Sequence, residues 1–328
     1  MPSLSRLLKS AMVIRCCAVL AGLWLCSSLA LASPSARPVR IIVGFGAGGA
    51  MDTLARAVAA KLAERLQRPV YVENRAGAGG GIAAAYVAQA RADGNTLLLA
   101  SPGEIFVNRI YNKSLRSSGV AGLVPVAKIS FSPLVLVTTN ESGIHQVSDI
   151  AGAAAKNPQG LSFASSGIGS LQHLVGDRLS KDLGVGLVHI PYSGASTATA
   201  SLLGHQVDLL FAGLAPVAPY IQNRKLRVLG IASSQRSMKF PDVPTLQEKG
   251  VTGRSVEYWQ GVFLPRGAPA ELAYSLSDEL AAMLKDASFV RQLDALGFET
   301  AFRSSGEFGS FLRTEEQNYQ AIASALKL

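Results

Sequence analysis

Cysteine is scarce in this sequence: its three cysteines all lie near the N-terminus, at positions 16, 17 and 26. That end has the pattern of a signal peptide, so we expect the mature chain to contain no cysteine. Such a chain forms no disulfide, binds no metal through a thiolate and uses no cysteine nucleophile. Its stability must come from a packed core, and about 295 residues are enough for two lobes.

Apolar runs long enough to cross a membrane are also absent beyond the N-terminal segment. There, three basic residues precede an apolar run over 18–31: Arg6, Lys9 and Arg15. The run is shorter than the roughly 20 residues that span a bilayer, and an A-x-A site ends at Ala32. We therefore expect a signal peptide over 1–32, cleaved after Ala32, rather than a retained anchor, and a periplasmic mature protein.

Acidic residues are in the minority. Without the signal segment the chain keeps 28 basic and 22 acidic residues, a formal charge of +6. The basic residues are scattered and not interleaved with aromatic ones, so nucleic acid is not an expected partner. A positive field raises the local concentration of small anions, although the same charge also serves solubility.

Catalytic motifs are missing as well. The four histidines form no H-E-x-x-H motif, and no serine lies in a G-x-S-x-G elbow. Ser170 and His173 are one helical turn apart and resemble a catalytic dyad. We interpret Ser170 as part of a polar loop and His173 as a histidine whose ring is hydrogen-bonded within the protein, with Asp177 as its partner. We expect no catalytic residue, no metal and no cofactor.

Apolar runs and helical patterns alternate along the rest of the chain. Strands are predicted at 39–45, 70–73, 96–100, 124–129, 134–138, 161–164, 187–191, 207–211, 226–232 and 261–264. Helices are predicted at 53–66, 82–92, 171–183, 195–203, 217–222, 270–285 and 308–328. This alternation predicts an α/β protein with parallel sheets and helices on both faces.

Ten strands are too many for one compact sheet, so we predict two lobes. Lobe 1 comprises 33–130 and 255–328, and lobe 2 comprises 131–254. The chain is expected to cross between them within 128–138 and again within 254–264, and the C-terminal helices to pack on lobe 1. A small ligand is expected in the cleft between the lobes.

A glycine loop at 44–49 follows the first strand and leads into the first helix. The start of a helix presents unpaired N–H groups and a partial positive charge, which together favour an anion. The expected backbone donors to a carboxylate are Gly48, Gly49, Ala50 and Met51. Asp52 is expected to cap the helix, to orient the loop or to bind a polar group of the ligand.

The same loop matches G-x-G-x-x-G, and Glu73 ends the second strand where a ribose-binding acid would lie. An exported nucleotide-dependent oxidoreductase is therefore the alternative function. Two observations oppose it: nicotinamide cofactors are not generally available outside the cytoplasm, and the second glycine run at 77–81 has no role in that motif. Strand-to-helix loops recur at 165–170, 192–197 and 212–216, so several helix starts are expected to converge on one cleft.

These residues carry a family resemblance across nearly the whole mature chain. The matching segments are PVRIIV at 38–43, VENRAGAGG at 72–80, DGNTLL at 93–98, SSGIGSLQHL at 165–174, HIPY at 189–192, GHQVD at 204–208 and FPDVPT at 240–245. In this order and spacing they resemble the Bug receptors, the extracytoplasmic solute-binding proteins of tripartite tricarboxylate transporters.

The resemblance implies a type II-like periplasmic binding protein, with two α/β lobes, each a sheet flanked by helices, closing on a small carboxylate. It implies a monomer that delivers the solute to two integral membrane transporter subunits, with no ATP and no metal. A ligand-sensing module for a signalling partner is a further alternative. By the family pattern, the ligand loops are 48–52, 165–170 and the turn after Phe211. The ligand residues expected in the last two loops are Ser165, Ser166, Gly167, Ser170, Gly213 and Leu214.

Two loops depart from the family pattern. Ala50 and Met51 stand where a serine or threonine is common, and 212–215 replaces a segment that often resembles Asp-Ser-Leu-Pro. These changes remove two hydroxyl positions and one acid but keep the backbone donors. We therefore hypothesise a ligand with an apolar portion, such as an aromatic or branched monocarboxylate.

Overall fold

Two mixed β-sheets, each covered by helices, form the scaffold of Pro38–Leu328. The structure is a computed structural model and describes residues 37–112, 122–237, 240–251 and 255–328. The predicted signal peptide lies outside these residues. Within them, none of the helices combines the length and the hydropathy needed to cross a bilayer.

The strands are β1 (Val39–Val43), β2 (Val70–Asn74), β3 (Thr96–Ala100), β4 (Val124–Ser132), β5 (Leu134–Thr139), β6 (Leu161–Ser165), β7 (Leu187–Pro191), β8 (Leu209–Gly213), β9 (Leu226–Ile231), β10 (Tyr258–Leu264) and β11 (Glu299–Arg303). The helices are α1 (Ala50–Leu66), α2 (Gly81–Ala88), α3 (Asn108–Tyr111), α4 (Asp149–Lys156), α5 (Leu171–Leu183), α6 (Ala195–Leu203), α7 (Leu214–Gln222), α8 (Ala270–Met283), α9 (Ala287–Ala295) and α10 (Ser305–Leu326). A π-helical turn, Gly103–Val107, directly precedes α3.

The first sheet has the order β11-β4-β10-β3-β1-β2 and the second the order β7-β6-β8-β5-β9. β1 is parallel to β2 and β3, and β6 is parallel to β7 and β8. The carboxyl ends of these strands therefore carry the glycine loops, as the topology of an α/β sheet requires. β10 and β5 run antiparallel to their neighbours, so the prediction of purely parallel sheets was wrong.

The inner strands of each sheet are apolar on both sides because helices cover both faces, whereas the edge strands β2, β7 and β11 are partly exposed. In β1, Ile41 and Val43 pack with Leu54 and Val58 of α1, whereas Ile42 belongs to a second core. That second core contains the buried ring of Trp259 and residues of both sheets. A third core lies between the second sheet and its helices α6 and α7.

The chain passes from the first sheet to the second at Pro133, between β4 and β5, and returns in the stretch between β9 and β10. The first passage lies within the predicted range 128–138, whereas the return occupies 232–257 and overlaps the predicted range 254–264 only at its end. The helix α8 packs on α1 and β4, so this C-terminal helix covers the first sheet. The exact lobe boundaries stay a prediction.

Candidate functional site

The first glycine loop joins β1 to α1 in a backbone conformation that favours glycine. Gly48 has φ +77°, a left-handed value that favours glycine. Gly49 is the N-cap of α1, with extended backbone angles and no side-chain hydrogen bond to the helix start. The first N–H groups of a helix have no partner within it, so this uncapped start offers backbone donors beside the acidic Asp52 of the first turn.

Asp52 fixes this loop from within. Its carboxylate is 3% exposed and accepts hydrogen bonds from Gly48 N–H (2.9 Å), from the Arg56 guanidinium (2.9 Å) and from Asn74 Nδ2 (2.9 Å). Burial alone would raise the pKa of Asp52, but the bonds from Arg56, Gly48 and Asn74 lower it overall. Of the three expected roles of Asp52, these contacts match the orientation of the loop; direct ligand binding stays a prediction.

A loop of the second sheet faces the first glycine loop. Gly46 N–H donates to Ser193 O over 3.4 Å, and a Cβ placed on Gly194 would lie 3.5 Å from Gly46 N. Gly194 is the N-cap of α6 and also lacks a side-chain cap. Ser196 Oγ would lie 3.8 Å from a Cβ on Gly49. Two uncapped helix starts from different sheets thus point toward one place.

The predicted loop over 165–170 meets a different part of the first sheet. A Cβ on Gly79 would lie 2.5 Å from Ile168 O and 2.7 Å from Ser170 N, so this contact requires glycine. A Cβ on Gly103 would lie 3.4 Å from Leu171 N. The second glycine run, which has no role in a dinucleotide motif, therefore packs on the start of α5.

The hydroxyl groups predicted at 165–170 already have protein partners. Ser165 Oγ lies 2.6 Å from His189 Nε2, and it accepts from Gly167 N–H over 3.1 Å. Ser170 Oγ accepts from His173 N–H over 3.2 Å as the cap of α5. Ser166 Oγ donates to the Gln172 side chain over 3.0 Å. These side chains shape the loop, and their contact with a ligand stays a prediction.

Ser170 and His173 do not form a catalytic dyad, because the serine bonds to the backbone of His173 and not to its imidazole. The imidazole accepts from Gly169 N–H over 3.2 Å and stacks on His189 with 3.9 Å between ring centroids. Tyr111 also packs on the imidazole of His173, with 4.1 Å between ring centroids. Burial lowers the pKa of both histidines to about 4, so His173 is neutral, as expected of a histidine whose ring is hydrogen-bonded within the protein.

The third predicted loop, at Gly213 and Leu214, lies beside β10. A Cβ on Gly213 would be 3.1 Å from the ring of Tyr258, and Leu214 N–H donates to Pro133 O over 3.1 Å. The side chains of Leu214 and Met51 are 1% and 2% exposed and belong to hydrophobic cores. They therefore give no support to the hypothesis of an apolar ligand.

A buried polar cluster that was not predicted from the sequence comprises Ser101, Glu104, Asn108, Gln172 and Tyr258. Glu104 Oε2 accepts from Ser101 N–H (3.0 Å) and from Ser101 Oγ–H (2.6 Å). Burial raises the pKa of Glu104 to about 7. The signal that could have found this cluster is the Ser-Pro-Gly-Glu segment directly after the apolar strand β3.

Glu73, the acid that the dinucleotide alternative assigns to a ribose, is bonded within the protein. Arg75 lies 2.6 Å from Glu73 Oε1, and Arg40 lies 3.6 Å from Oε2. Arg75 also stacks on the ring of Tyr86, 3.6 Å from its centroid. Two guanidinium groups thus compete with any ligand for this carboxylate.

A second cleft, with a volume of about 780 Å³, lies beside the segments where the chain passes between the two sheets. Among its lining residues are Lys128, Arg236, Glu257 and Glu315. The predicted ligand residues are not part of its lining. It is therefore distinct from the place where the glycine loops of the two sheets meet.

Comparison with known proteins decides the family. Residues 54–328 match the model of the tripartite tricarboxylate transporter family receptor. The chain belongs to this family. Protein BugT of Bordetella pertussis is 32% identical over 288 residues, covering 88% of each chain. The family is one of periplasmic solute-binding proteins, and BugD, a periplasmic binding protein, is a structural neighbour.

Two further solved structures are similar over almost their whole length. MatC from Rhodopseudomonas palustris with bound malate has a TM-score of 0.82 and 28% identity, and the match covers 88% of this chain and 99% of MatC. A second R. palustris protein, with adipate, has a TM-score of 0.83 and 29% identity, with 90% and 99% covered. The two-lobe α/β fold of a periplasmic binding protein is thereby confirmed.

Proposed function

We propose that this receptor captures a small carboxylate between its two sheets and delivers it to a transporter with two integral membrane subunits. The observation that carries the proposal is the convergence of two uncapped helix starts, α1 at Gly49 and α6 at Gly194. Each start has a partial positive charge, so their proximity favours an anion between them. The malate and adipate of the neighbouring structures support a carboxylate.

The free energies involved are sufficient. Hydrogen bonds to a charged group contribute roughly 1.5–3 kcal/mol each, and each helix start adds about 0.3–1 kcal/mol. Four such bonds and two helix starts together contribute about 7–14 kcal/mol, a range that includes the roughly 8 kcal/mol of a micromolar complex. Backbone amides are thus enough, without an arginine clamp.

The proposal assigns the two lobes to 33–130 with 255–328 and to 131–254. Its backbone donors are Gly48, Gly49, Ala50 and Met51, next to the loop-orienting Asp52. The other ligand residues are Ser165, Ser166, Gly167, Ser170, Gly213 and Leu214. The protein binds and releases its solute as a monomer without chemical conversion, after export and cleavage of the signal peptide behind Ala32.

A thermal-shift panel on the mature chain tests the carboxylate proposal. Malate, adipate, citrate, and branched and aromatic monocarboxylates are compared with the neutral amide of each acid. We expect at least one carboxylate to raise the melting temperature while its amide does not. Equal effects of acid and amide across the panel would contradict an anion site, and a preference for citrate would refute the apolar-ligand hypothesis.

Gly49→Val locates the site, with Gly49→Ala as its matched control. Gly49 has φ −79° and ψ 170°, which valine adopts without strain, so the fold is retained. A Cβ there would lie 3.5 Å from Gly46 O, an ordinary contact, whereas the extra methyl groups of valine enter the gap between the loops. We expect alanine to preserve binding and valine to abolish it. Retained affinity in the valine variant would remove this loop from the site.

A further inference from the structure

Glu315 is a buried acid of which only one carboxylate oxygen is hydrogen-bonded. The residue is 9% exposed, and its Oε2 accepts a hydrogen bond from Trp259 Nε1–H over 3.2 Å. Among the described residues, no donor pairs with Oε1, and the carboxylate takes part in no ion pair. Oε1 is also not one of their fully enclosed polar atoms without a partner, so it stays accessible. A donor that reaches it would gain a charge-assisted hydrogen bond.

Glu315 lines the second cleft, which has a volume of about 780 Å³. Small-molecule pockets occupy roughly 300–1,000 Å³, so the cleft is large enough for a small organic compound. Lys128 and Phe131 of β4 contribute to its lining, as do residues of the segment 233–237, which follows β9. Most of the other polar lining residues are serine, glutamine and asparagine. The incompletely paired carboxylate therefore borders a cavity with a polar lining.

The charged residues of this cleft favour a cation, although the chain as a whole is basic. Three acidic and two basic residues line it. The ammonium group of Lys128 donates to the Glu257 carboxylate. The guanidinium group of Arg236 donates to the Glu248 carboxylate over 2.9 Å. Both basic side chains are thus paired with acids, whereas Glu315 has no such partner, so an occupant with a positive charge is favoured.

The geometry of the acids fits an ammonium ion better than a metal ion. In the part of the chain that the structure describes, no group of three or more His, Cys, Asp or Glu side chains is placed to hold a metal. An ammonium group needs fewer acceptors, because each of its N–H bonds donates separately. Lys128 shows that this lining holds such a group: its side chain is 4% exposed, and its Nζ pairs with Glu257 and lies 5.0 Å from the centroid of the Phe311 ring.

We propose that the second cleft is a binding site for a small organic ammonium ion, which donates a hydrogen bond to Glu315 Oε1. Glu257, whose Oε1 is held by Lys128, offers its other oxygen as a second acceptor. The serine and amide side chains of the lining face the rest of the molecule. This site is separate from the proposed carboxylate site, because the predicted solute residues are not part of its lining. Failure of either proposal therefore leaves the other in place.

Calorimetric titration of the mature chain with 1,4-diaminobutane tests the proposal. The matched neutral probe is 1,4-butanediol, in which hydroxyl groups replace the two ammonium groups. Both titrations contain sodium chloride at physiological ionic strength, which screens non-specific attraction between exposed charges. We expect saturable binding of the diamine and none of the diol. Absence of saturable diamine binding, or equal binding of the diol, overturns the proposal.

Glu315→Gln tests the assignment of the ammonium group to this carboxylate. The glutamine oxygen can accept from Trp259 Nε1–H, so the fold is retained, and the NH₂ group then takes the place of Oε1. We expect the affinity for 1,4-diaminobutane to fall roughly tenfold, because a hydrogen bond to a charged group is lost. Glu141→Gln, on an exposed side chain outside the cleft lining, is the matched control and should bind like the wild type. Unchanged affinity in Glu315→Gln overturns the proposal.

Lys128→Met separates an electrostatic role of the lining from a structural one. The substitution removes a positive charge from the cleft and releases the Glu257 carboxylate. We therefore expect the affinity for 1,4-diaminobutane to rise roughly threefold, opposite in sign to the effect of Glu315→Gln. A disturbed cleft would instead weaken binding in both variants. Weaker or unchanged binding in Lys128→Met overturns the proposal of a cation site.

Discussion

Gly46 N–H donates a hydrogen bond to Ser193 O over 3.4 Å, and this bond joins a loop of the first sheet to a loop of the second. Each loop immediately precedes a helix that has no side-chain cap. In the proposed function, a solute bound between them would be held by both sheets at once. Binding and the approach of the two sheets would then be coupled, and the loaded form would differ from the empty one in a way that a partner can recognise.

Neighbouring glycines of the first loop should respond differently to alanine. Gly48 has φ +77°, where an L-residue costs about 1 kcal/mol, so Gly48→Ala should lower the free energy of unfolding by that amount. Gly49 has φ −79° and room for a Cβ, so Gly49→Ala should be neutral within roughly 0.5 kcal/mol. Urea denaturation of both variants checks this. Equal losses of unfolding free energy would show that backbone strain at Gly48 does not account for the difference.

Asp52 should be essential for the stability of the same loop. Asp52→Ala leaves Gly48 N–H and Asn74 Nδ2 without their acceptor and should cost about 2–3 kcal/mol in unfolding free energy. Asp52→Asn keeps the shape and one acceptor oxygen, so it should cost less. Chemical denaturation at pH 7 compares the two, and an alanine variant as stable as the asparagine variant would contradict the role of these bonds.

The pH dependence of that effect has a definite sign. The folded-state pKa of Asp52 lies below the usual aspartate value of 3.8 despite its burial, because Arg56, Gly48 and Asn74 favour the ionised form. The contribution is therefore fully present above pH 4 and is lost as the pH falls through the folded pKa. The stability difference between wild type and Asp52→Asn should shrink below pH 4; a constant difference would show that ionisation is not involved.

Local sequence signals were sufficient for the loops that follow parallel strands. An apolar run, a glycine cluster and a leucine periodicity gave β1, its loop and α1, and the helix begins only three residues before its predicted start, at Ala50. β11 was missed because Glu299–Arg303 is a half-exposed edge strand without an apolar run. α9 was missed although Asp286 caps it by accepting from Ser288 N–H over 2.8 Å.

Contacts between distant loops could not be predicted from the sequence. Nothing near Ser193 indicates that it meets Gly46, since this depends on how two separate sheets are placed. The same holds for the buried Glu104, whose side chain packs against Gly80 of the second glycine run. Strand direction was mispredicted at β5 and β10 for a related reason, because the chain enters each sheet from the other one.

The stacked pair His173–His189 should make the protein sensitive to mild acid. Burial lowers the folded pKa of both to about 4, below the usual histidine value of 6.5, and His173 further lowers the pKa of His189. The unfolded chain therefore binds more protons between pH 4 and 6.5, so stability falls as the pH decreases through this window. Asp177 and Tyr111 face the pair but do not reverse this sign.

We expect the wild type to lose about 2 kcal/mol more stability than His173→Asn between pH 7 and pH 5. Asparagine retains an acceptor for Gly169 N–H and cannot be protonated in this range. His145→Asn, on an exposed histidine, is the control and should follow the wild type. Urea denaturation at both pH values provides the comparison, and parallel losses in all three proteins would contradict the assignment.

Lys128 and Glu257 form an ion pair at the edge of the second cleft, and the two side chains are buried to different extents. The Lys128 side chain is 4% exposed and that of Glu257 is 35% exposed. Glu257→Gln leaves a buried ammonium group without its main partner and should cost about 3 kcal/mol in unfolding free energy. Lys128→Met leaves a hydrated carboxylate and keeps an apolar chain near the Phe311 ring, so it should cost less.

The double variant separates pairing from packing. With both charges removed, the methionine chain remains buried and no ion is left unpaired, so the double variant should be more stable than Glu257→Gln alone. Lys156→Met, on an exposed lysine, should be neutral and serves as the control. A double variant no more stable than Glu257→Gln would show that an unpaired Lys128 ammonium is not the source of that variant's loss.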